Sequence, residues 1–328
     1  VSKMKKLYDL PNGRKLHKTP IPTLGGLGIY IGFIFSFLIH VDLTKGGLHE
    51  FQYLLACFTV VAIFGLKDDI LILLPMKKFL GQIFVTLIFL LKGGFLINSM
   101  YGFLGIGAVG NYFALFLTAI TIIVTMNAYN LIDGVDGLAG SLGFVSIMTF
   151  GIFFAINGNH FYALMGIVFA SSIAAFLIYN YSPAKIFMGD TGALMIGLVN
   201  AVLAIQFIQT ASTAPFVAIK ETPAMGFGII AVPLLDTLRV FGNRMLQRRS
   251  PFSPDRNHLH HLLLDRGFTH KQTTFFITLF QVLMIVATYF ALPLGSSFVI
   301  PLQIIVFFTA NILIKTKAIV RVAGREHI

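Results

Sequence analysis

Asn127-Ala-Tyr-Asn130-Leu-Ile-Asp133-Gly-Val-Asp136-Gly137 carries two carboxamides and two carboxylates, punctuated by two glycines. Apolar runs flank it on both sides, Tyr112 to Met126 and Leu138 to Ile156. Each comes close to the roughly 20 residues that a helix needs to cross a bilayer. A polar cluster at the end of a membrane span is costly unless it meets water, a metal or a substrate. Asn, Asp and Gly are also ordinary turn residues, so the stretch alone reads as a polar hairpin turn too. What favours a site is that two other acid-bearing turns, Asp68-Asp69 and Asp190, fall on the same side of the membrane.

The 328 residues are 56% hydrophobic and only 11% charged, with a mean hydropathy of +0.85. A soluble domain is about 25% charged. The chain is therefore expected to be an all-α polytopic integral membrane protein, one transmembrane domain over residues 1–328. No stretch is polar and long enough for a separate soluble domain. The single cysteine, Cys57, lies in an apolar run, which excludes a disulfide framework and argues against a cysteine metal site. The net charge of +11 is read as basic loops facing anionic lipid and anionic substrates, not as a nucleic-acid surface.

Ten apolar segments are countable, at about 23–41, 51–66, 79–92, 111–126, 138–156, 161–179, 191–209, 224–246, 273–291 and 298–314. About ten transmembrane helices are expected from them. No cleavable signal peptide and no internal repeat is visible. The chain opens on Val1 inside a basic stretch, which leaves room for residues, or an eleventh span, upstream. Of the 24 basic residues, all but Lys45, Lys92 and Lys220 fall on one side. The positive-inside rule makes that side cytoplasmic, with both ends of the chain on it.

That side also collects the chemistry. The entry segment Arg14-Lys15-Leu-His17-Lys18-Thr-Pro-Ile-Pro22-Thr-Leu-Gly25-Gly26 joins a basic cluster to a Pro/Gly turn. It reads either as a membrane-flanking basic patch or as a phosphate-binding segment. Lys67-Asp68-Asp69 is either a solvated loop or a place to hold a cation and, through it, an anion. Asp190, between Gly189 and Thr191-Gly192 at a helix start, reads as an N-cap or as a site acid. A His/Arg-rich loop at about 247–272 holds Arg256, His258, His260 and His261. Three histidines in four positions raise zinc, but helical spacing puts His258 and His261 on one face and His260 on another, with no cysteine nearby. Flanking Arg256 and Arg266 suit polar donors to a diphosphate better.

A cytoplasmic bowl with carboxylates, asparagines, histidines and arginines suits a diphosphate carried on Mg²⁺. Mg²⁺ takes one or two protein oxygens and completes its shell with phosphates and water. Phosphoryl transfer asks the protein mainly to position groups and neutralise charge. A second substrate dissolved in the bilayer would explain a site at the membrane surface.

These motifs together resemble the polyprenyl-phosphate N-acetylhexosamine-1-phosphate transferases, from about Asp9 to about Gly267. The shared elements are Arg-Lys-Leu-His…Pro-Thr-Leu-Gly-Gly, Lys-Asp-Asp, Asn-x-x-Asn-Leu-x-Asp-Gly-x-Asp-Gly, Phe-Met-Gly-Asp and His-Leu-His-His. Any one would be weak; jointly they are specific. The resemblance implies transfer of a sugar-1-phosphate, most simply GlcNAc-1-phosphate, from a UDP-sugar to undecaprenyl phosphate, releasing UMP. It implies Mg²⁺, with Mn²⁺ an admissible substitute, held by Asp190 and Asn130. Asp68, Asp69, Asp133 and Asp136 match the catalytic acids. Asn127, Lys67, His17, Lys18, Arg256, His258, His260 and His261 match substrate-binding positions. The His-Leu-His-His form matches the GlcNAc-type branch, not the three consecutive histidines of the phospho-MurNAc-pentapeptide transferase. Family members usually carry a span before the Arg-Lys-Leu-His segment, and this chain has none there. The implied setting is the bacterial inner membrane, multi-pass, with the site facing the cytoplasm and a homodimer as an allowed assembly.

Two other classes fit the residues less well. A secondary transporter would place ionisable groups near mid-membrane, usually with inverted repeats; these runs are nearly free of charge, Asp236 and Arg239 being the partial exception. A CDP-alcohol phosphotransferase needs an arginine soon after its Asp-Gly pair and two later aspartates four apart. Asp136-Gly137-Leu-Ala-Gly140 supplies neither.

Overall fold

The computed structural model describes residues 8–9, 21–42, 48–71, 73–248 and 257–323. A short strand β1 (Tyr8–Asp9) pairs antiparallel with β2 (Ile21–Pro22). The rest is helical: α1 (Gly25–His40), α2 (Leu48–Leu71), α3 (Pro75–Lys92), α4 (Asn111–Ile132), α5 (Leu138–Ile156), α6 (His160–Asn180), α7 (Gly189–Thr210), α8 (Thr222–Ile229), α9 (Ala231–Leu246), α10 (Leu259–Leu264), α11 (His270–Ala291) and α12 (Ser296–Ala323). Every one of the ten apolar segments lies in helix. Among the described residues, however, six helices are long and apolar enough to cross a membrane on their own: α4, α5, α6, α7, α11 and α12. The pair α8 and α9 makes a seventh if it is one span. Helix α1 is apolar but has only 16 residues, and α2 and α3 carry charges near their ends.

The segment 224–246, expected as one run, is broken: α8 and α9 meet at 80°. Pro233 accounts for the break. It has no N–H to give, and its ring crowds the carbonyl four residues back, that of Ile229. Backbone groups freed inside a bilayer must find partners. Gln281 of α11 supplies both, its Nε2 donating to Ile229 O and its Oε1 accepting from Val232 N at 3.1 Å.

Helix α7 runs through the middle of the bundle and is almost wholly buried. Glycines let its neighbours come in to backbone distance. A Cβ on Gly26 of α1 would lie 2.1 Å from Gly192 N, and one on Gly65 of α2 would lie 2.4 Å from Thr191 Cα. Small residues at such crossings allow the close packing that holds membrane helices together. Large apolar side chains such as Ile31, Phe35, Leu91, Phe116 and Phe290 point outward and are exposed, a surface that suits lipid and not water.

The contacts Asp69–Asp190, Lys78–Asp68, Lys78–Asp190, Asn130–Asp190 and Asn180–Gly137 bring the end of α2, the start of α3, the end of α4, the starts of α5 and α7 and the end of α6 to one end of the bundle. All three acid-bearing turns lie there.

Candidate active site

The centre of that end is the start of α7. Its first N–H groups have no partner within the helix. Asp190 is the second residue of the helix and does not cap it. Asp69, at the end of α2, does so from outside. Its Oδ1 accepts from Asp190 N at 2.7 Å, and its Oδ2 accepts from Thr191 N at 3.2 Å and Thr191 Oγ1 at 2.6 Å. A carboxylate is well placed at a helix N-terminus, where the helix dipole is positive. The reading of Asp190 as a simple cap is thus replaced: the cap is Asp69, and the Asp190 side chain is left for the site.

Asp190 Oδ1 accepts from Asn130 Nδ2 at 2.8 Å, and its Oδ2 meets the ammonium of Lys78. The same ammonium contacts Asp68 Oδ2, while Asp68 Oδ1 accepts from Leu73 N at 2.6 Å. Lys78, near the start of α3, thus bridges the two acids. The sequence pointed to Lys67 for a cation beside Asp68; in the fold Lys67 is exposed on α2 and Lys78 does that work. Nothing in the pattern marks Lys78, which looks like its neighbour Lys77.

Asp133 follows the last turn of α4. Burial, reinforced by the charges of Asp190, Asp69 and Asp136, pushes its carboxyl up to about 7. Four carboxylates, Asp68, Asp69, Asp133 and Asp190, therefore crowd one helix start, with Lys78 as the ammonium among them. Asp136 behaves differently. Burial alone would raise its pKa, but His270, the N–H of Ala184 and Ser182 hold it below the usual carboxylate range. Its Oδ1 lies 3.3 Å from His270 Nδ1, its Oδ2 accepts from Ala184 N at 3.1 Å, and its carbonyl accepts from Thr274 Oγ1 at 2.7 Å. Asp136 ties its own turn to the loop before α7 and to the first turn of α11. Asn180, which the sequence reading passed over, braces the same turn, accepting from Gly137 N at 2.9 Å and donating to Ile186 O at 2.8 Å.

Asn127 sits one helical turn before Asn130 but is tied to α3. Its Nδ2 donates to Gln82 Oε1 at 2.7 Å and to its own helix at Ile123 O.

The histidines form the second wall. His258 does not share a helix face with His261, because it precedes α10 as its N-cap residue, in extended backbone. Instead it is buried beside His260, the rings parallel with centroids 5.7 Å apart, and His261 lies 4.3 Å beyond. Burial, reinforced by His261, pushes the His260 imidazole down to about 3. His260 packs on Gly134, where a Cβ would come within 2.3 Å of its Nε2. This contact joins the histidine wall to the acid cluster, one residue from Asp133. His258 Nδ1 is paired with Asp236, 2.8 Å away. Among the described residues no three His, Cys, Asp or Glu side chains are arranged around a metal position, so the zinc alternative gains nothing. His17, Lys18 and Arg256 lie outside the described residues.

The geometry sets a cluster of acids with surplus negative charge beside a group of three imidazoles. The profile of the family described as "Glycosyl transferase family 4" matches residues 51–208, which include the acids from Asp68 to Asp190. The chain is 31% identical over 290 residues to the undecaprenyl-phosphate alpha-N-acetylglucosaminyl 1-phosphate transferase of Escherichia coli (strain K12), covering 87% of this chain and 76% of that protein. The enzyme of the same name from Yersinia pestis is 31% identical, over 85% of this chain and 75% of its own length. The decaprenyl-phosphate N-acetylglucosaminephosphotransferase of Mycobacterium leprae (strain TN) is 30% identical, over 82% and 73%. Relatives at this identity and coverage, found by a chain whose acid turns converge on one helix start, place it in the polyprenyl-phosphate N-acetylhexosamine-1-phosphate transferase family.

Proposed function

We propose that the protein transfers GlcNAc-1-phosphate from UDP-GlcNAc to undecaprenyl phosphate, releasing UMP, at the cytoplasmic face of a bacterial inner membrane. The observation that carries this reading is the crowding of Asp68, Asp69, Asp133 and Asp190 around one ammonium. Such a cluster is short of positive charge and complementary to a diphosphate that arrives with a divalent cation. The activity for which the relatives are named agrees with it.

The donor set fits Mg²⁺. Asp190 and Asn130 offer hard oxygens, and phosphates and waters would complete the shell. When bound, the ion would neutralise charge on the diphosphate during transfer. The protein's own part is positioning. Lys78 holds Asp68 and Asp190 in register and offsets the charge between them. Asp68, pinned by Leu73 N, orients the incoming lipid phosphate through the Lys78 ammonium it holds. That phosphate needs little help with its proton: its second pKa is about 6, so at pH 7 roughly nine-tenths of it is already the dianion. An oxygen of the lipid phosphate then forms a bond to the sugar-bearing phosphorus of the donor, and the bond from that phosphorus to the UMP oxygen breaks. UMP leaves with the electron pair. The histidine wall contacts the UDP-sugar donor. The basic residues gathered at this end of the bundle support a cytoplasmic site.

Purified protein in detergent, given UDP-GlcNAc, undecaprenyl phosphate and magnesium, should release UMP in proportion to lipid phosphate. UDP-GalNAc and UDP-MurNAc-pentapeptide run in parallel grade the sugar. Absence of lipid-dependent UMP from all three donors would overturn the proposal.

A further inference from the structure

Asp236 and Arg239 are charged residues of α9, which also carries Arg244 in its last turn, and neither belongs to the acid cluster around Asp190. Both are buried. The break at Ile230 brings α9 across the bundle beneath the histidine loop, and Asp236 there makes contacts in three directions. Its Oδ1 accepts from Arg239 Nη2 at 2.8 Å and from Leu259 N at 2.9 Å; its Oδ2 lies 2.8 Å from His258 Nδ1. Leu259 is the first residue of α10, whose N-cap residue His258 makes no side-chain cap. One carboxylate therefore fixes a histidine ring and the start of the helix that bears His260 and His261. Arg239 donates in turn to Asn257 O, which holds the residue before His258.

We propose that Asp236 is a positioning residue for the donor-binding wall. It sets the His258 tautomer, with the proton on Nδ1, and leaves Nε2 on the far side of the ring as an acceptor for a hydroxyl or amide N–H of the UDP-sugar donor. This rests on the proposed sugar-nucleotide reading. The physical ground is that a carboxylate cannot donate, so Nδ1 must, and a ring nitrogen's partner decides what the other nitrogen presents. The nearby Arg239 offsets the charge of Asp236, so the pair orients His258 at little electrostatic cost to the wall.

The test is a double-mutant cycle between Asp236→Asn and His258→Ala, because coupled residues lose less together than the product of their separate losses. An asparagine keeps an acceptor for Leu259 N but turns an N–H towards Nδ1, which forces the opposite tautomer. The cycle is read on UMP release and, independently of turnover, on UDP-GlcNAc affinity by calorimetry. Asp236→Asn should raise KM for UDP-GlcNAc at least about tenfold with a smaller change in kcat. In a His258→Ala background it should change neither parameter by more than about twofold. Multiplicative losses would overturn the proposal while leaving the reaction intact.

A second comparison leaves Asp236 and its packing untouched. His258→Gln places an amide near the Nε2 position, whereas His258→Asn reaches only the Nδ1 position. Glutamine should retain more donor affinity than asparagine; the reverse order, or equal loss, would sink the idea. A wild-type protein that neither binds UDP-GlcNAc nor releases UMP would overturn the underlying reading as well.

Discussion

Two helix starts build this site, and they are built alike but charged differently. At α7 and at α10 a carboxylate from another helix takes the free N–H groups, Asp69 in one case and Asp236 in the other. Around α7 three further aspartates gather with Lys78 among them. Around α10 the single carboxylate is matched by Arg239, and what remains on display is imidazole. The first start is a place that wants a cation; the second is a shaped wall whose one carboxylate is already matched. The difference says that capping a helix and making a site are separable tasks. The pair Asp68-Asp69 divides them, one residue facing the cluster and the other holding the helix.

The largest effect expected from breaking this contrast is at Asp190. Asp190→Asn removes the charge on which Asn130 and Lys78 converge, and UMP release should fall more than a hundredfold, since loss of even an outer-shell partner costs ~10–100-fold. The variant should still insert and purify, because Asp69 and not Asp190 caps α7. Near-normal turnover at ordinary magnesium would refute the assignment.

Asp68→Asn asks what the acid facing the cluster does. As a base it would be worth at most about tenfold, because the lipid phosphate is already mostly dianionic at pH 7, and the variant would recover as pH rises from about 6 to 9. As an orienting group it can be worth far more, and the deficit should stay at the same large factor, roughly fiftyfold or above, across the range. A pH–rate profile of the variant beside wild type decides between them.

The smallest effect is on stability. Asp133 titrates in the fold at about 7, above its unfolded value of about 3.9. A group raised in this way favours the folded state while protonated, and that contribution fades as pH rises from about 4 through 7. In chelator, the thermal unfolding midpoint should therefore drop as pH is raised from 5 to 8. Asp133→Asn should make the slope shallower and sit a few degrees above wild type at pH 8. An unchanged slope would show that the acid wall carries no surplus charge at Asp133.

Much of the α7 start was legible in the sequence. Asn130, Asp133 and Asp190 stand at the ends of apolar runs, and counting the runs puts them on one side. The α10 start was legible only in part. His258 to His261 announce themselves, but helical spacing misassigned His258, because the helix begins one residue later. Asp236 was visible as an oddity in an apolar run, yet its partner lies 22 residues on. That pairing depends on the break at Pro233, and a single proline does not say whether a run bends or stops. Lys78 was hidden for a different reason. A lysine near a membrane helix end is expected whether or not it does anything, so only the contact with Asp68 and Asp190 distinguishes it from Lys67 and Lys77.

The backbone path into the site has one more consequence. Phe187 N donates to Pro22 O at 2.7 Å, Gly25 N to Phe187 O at 2.9 Å and Gly26 N to Met188 O at 2.8 Å. Main chain is thus laced to main chain between residues 22–26 and 187–188, directly before Asp190. Side chains along this seam are exchangeable without cutting a stitch, provided Gly25 and Gly26 stay small. Length is not exchangeable. One residue added between Pro22 and Gly26 would slip the lacing by a notch and drag the acid of α7 with it. Related chains should therefore differ freely here in spelling and hardly at all in spacing.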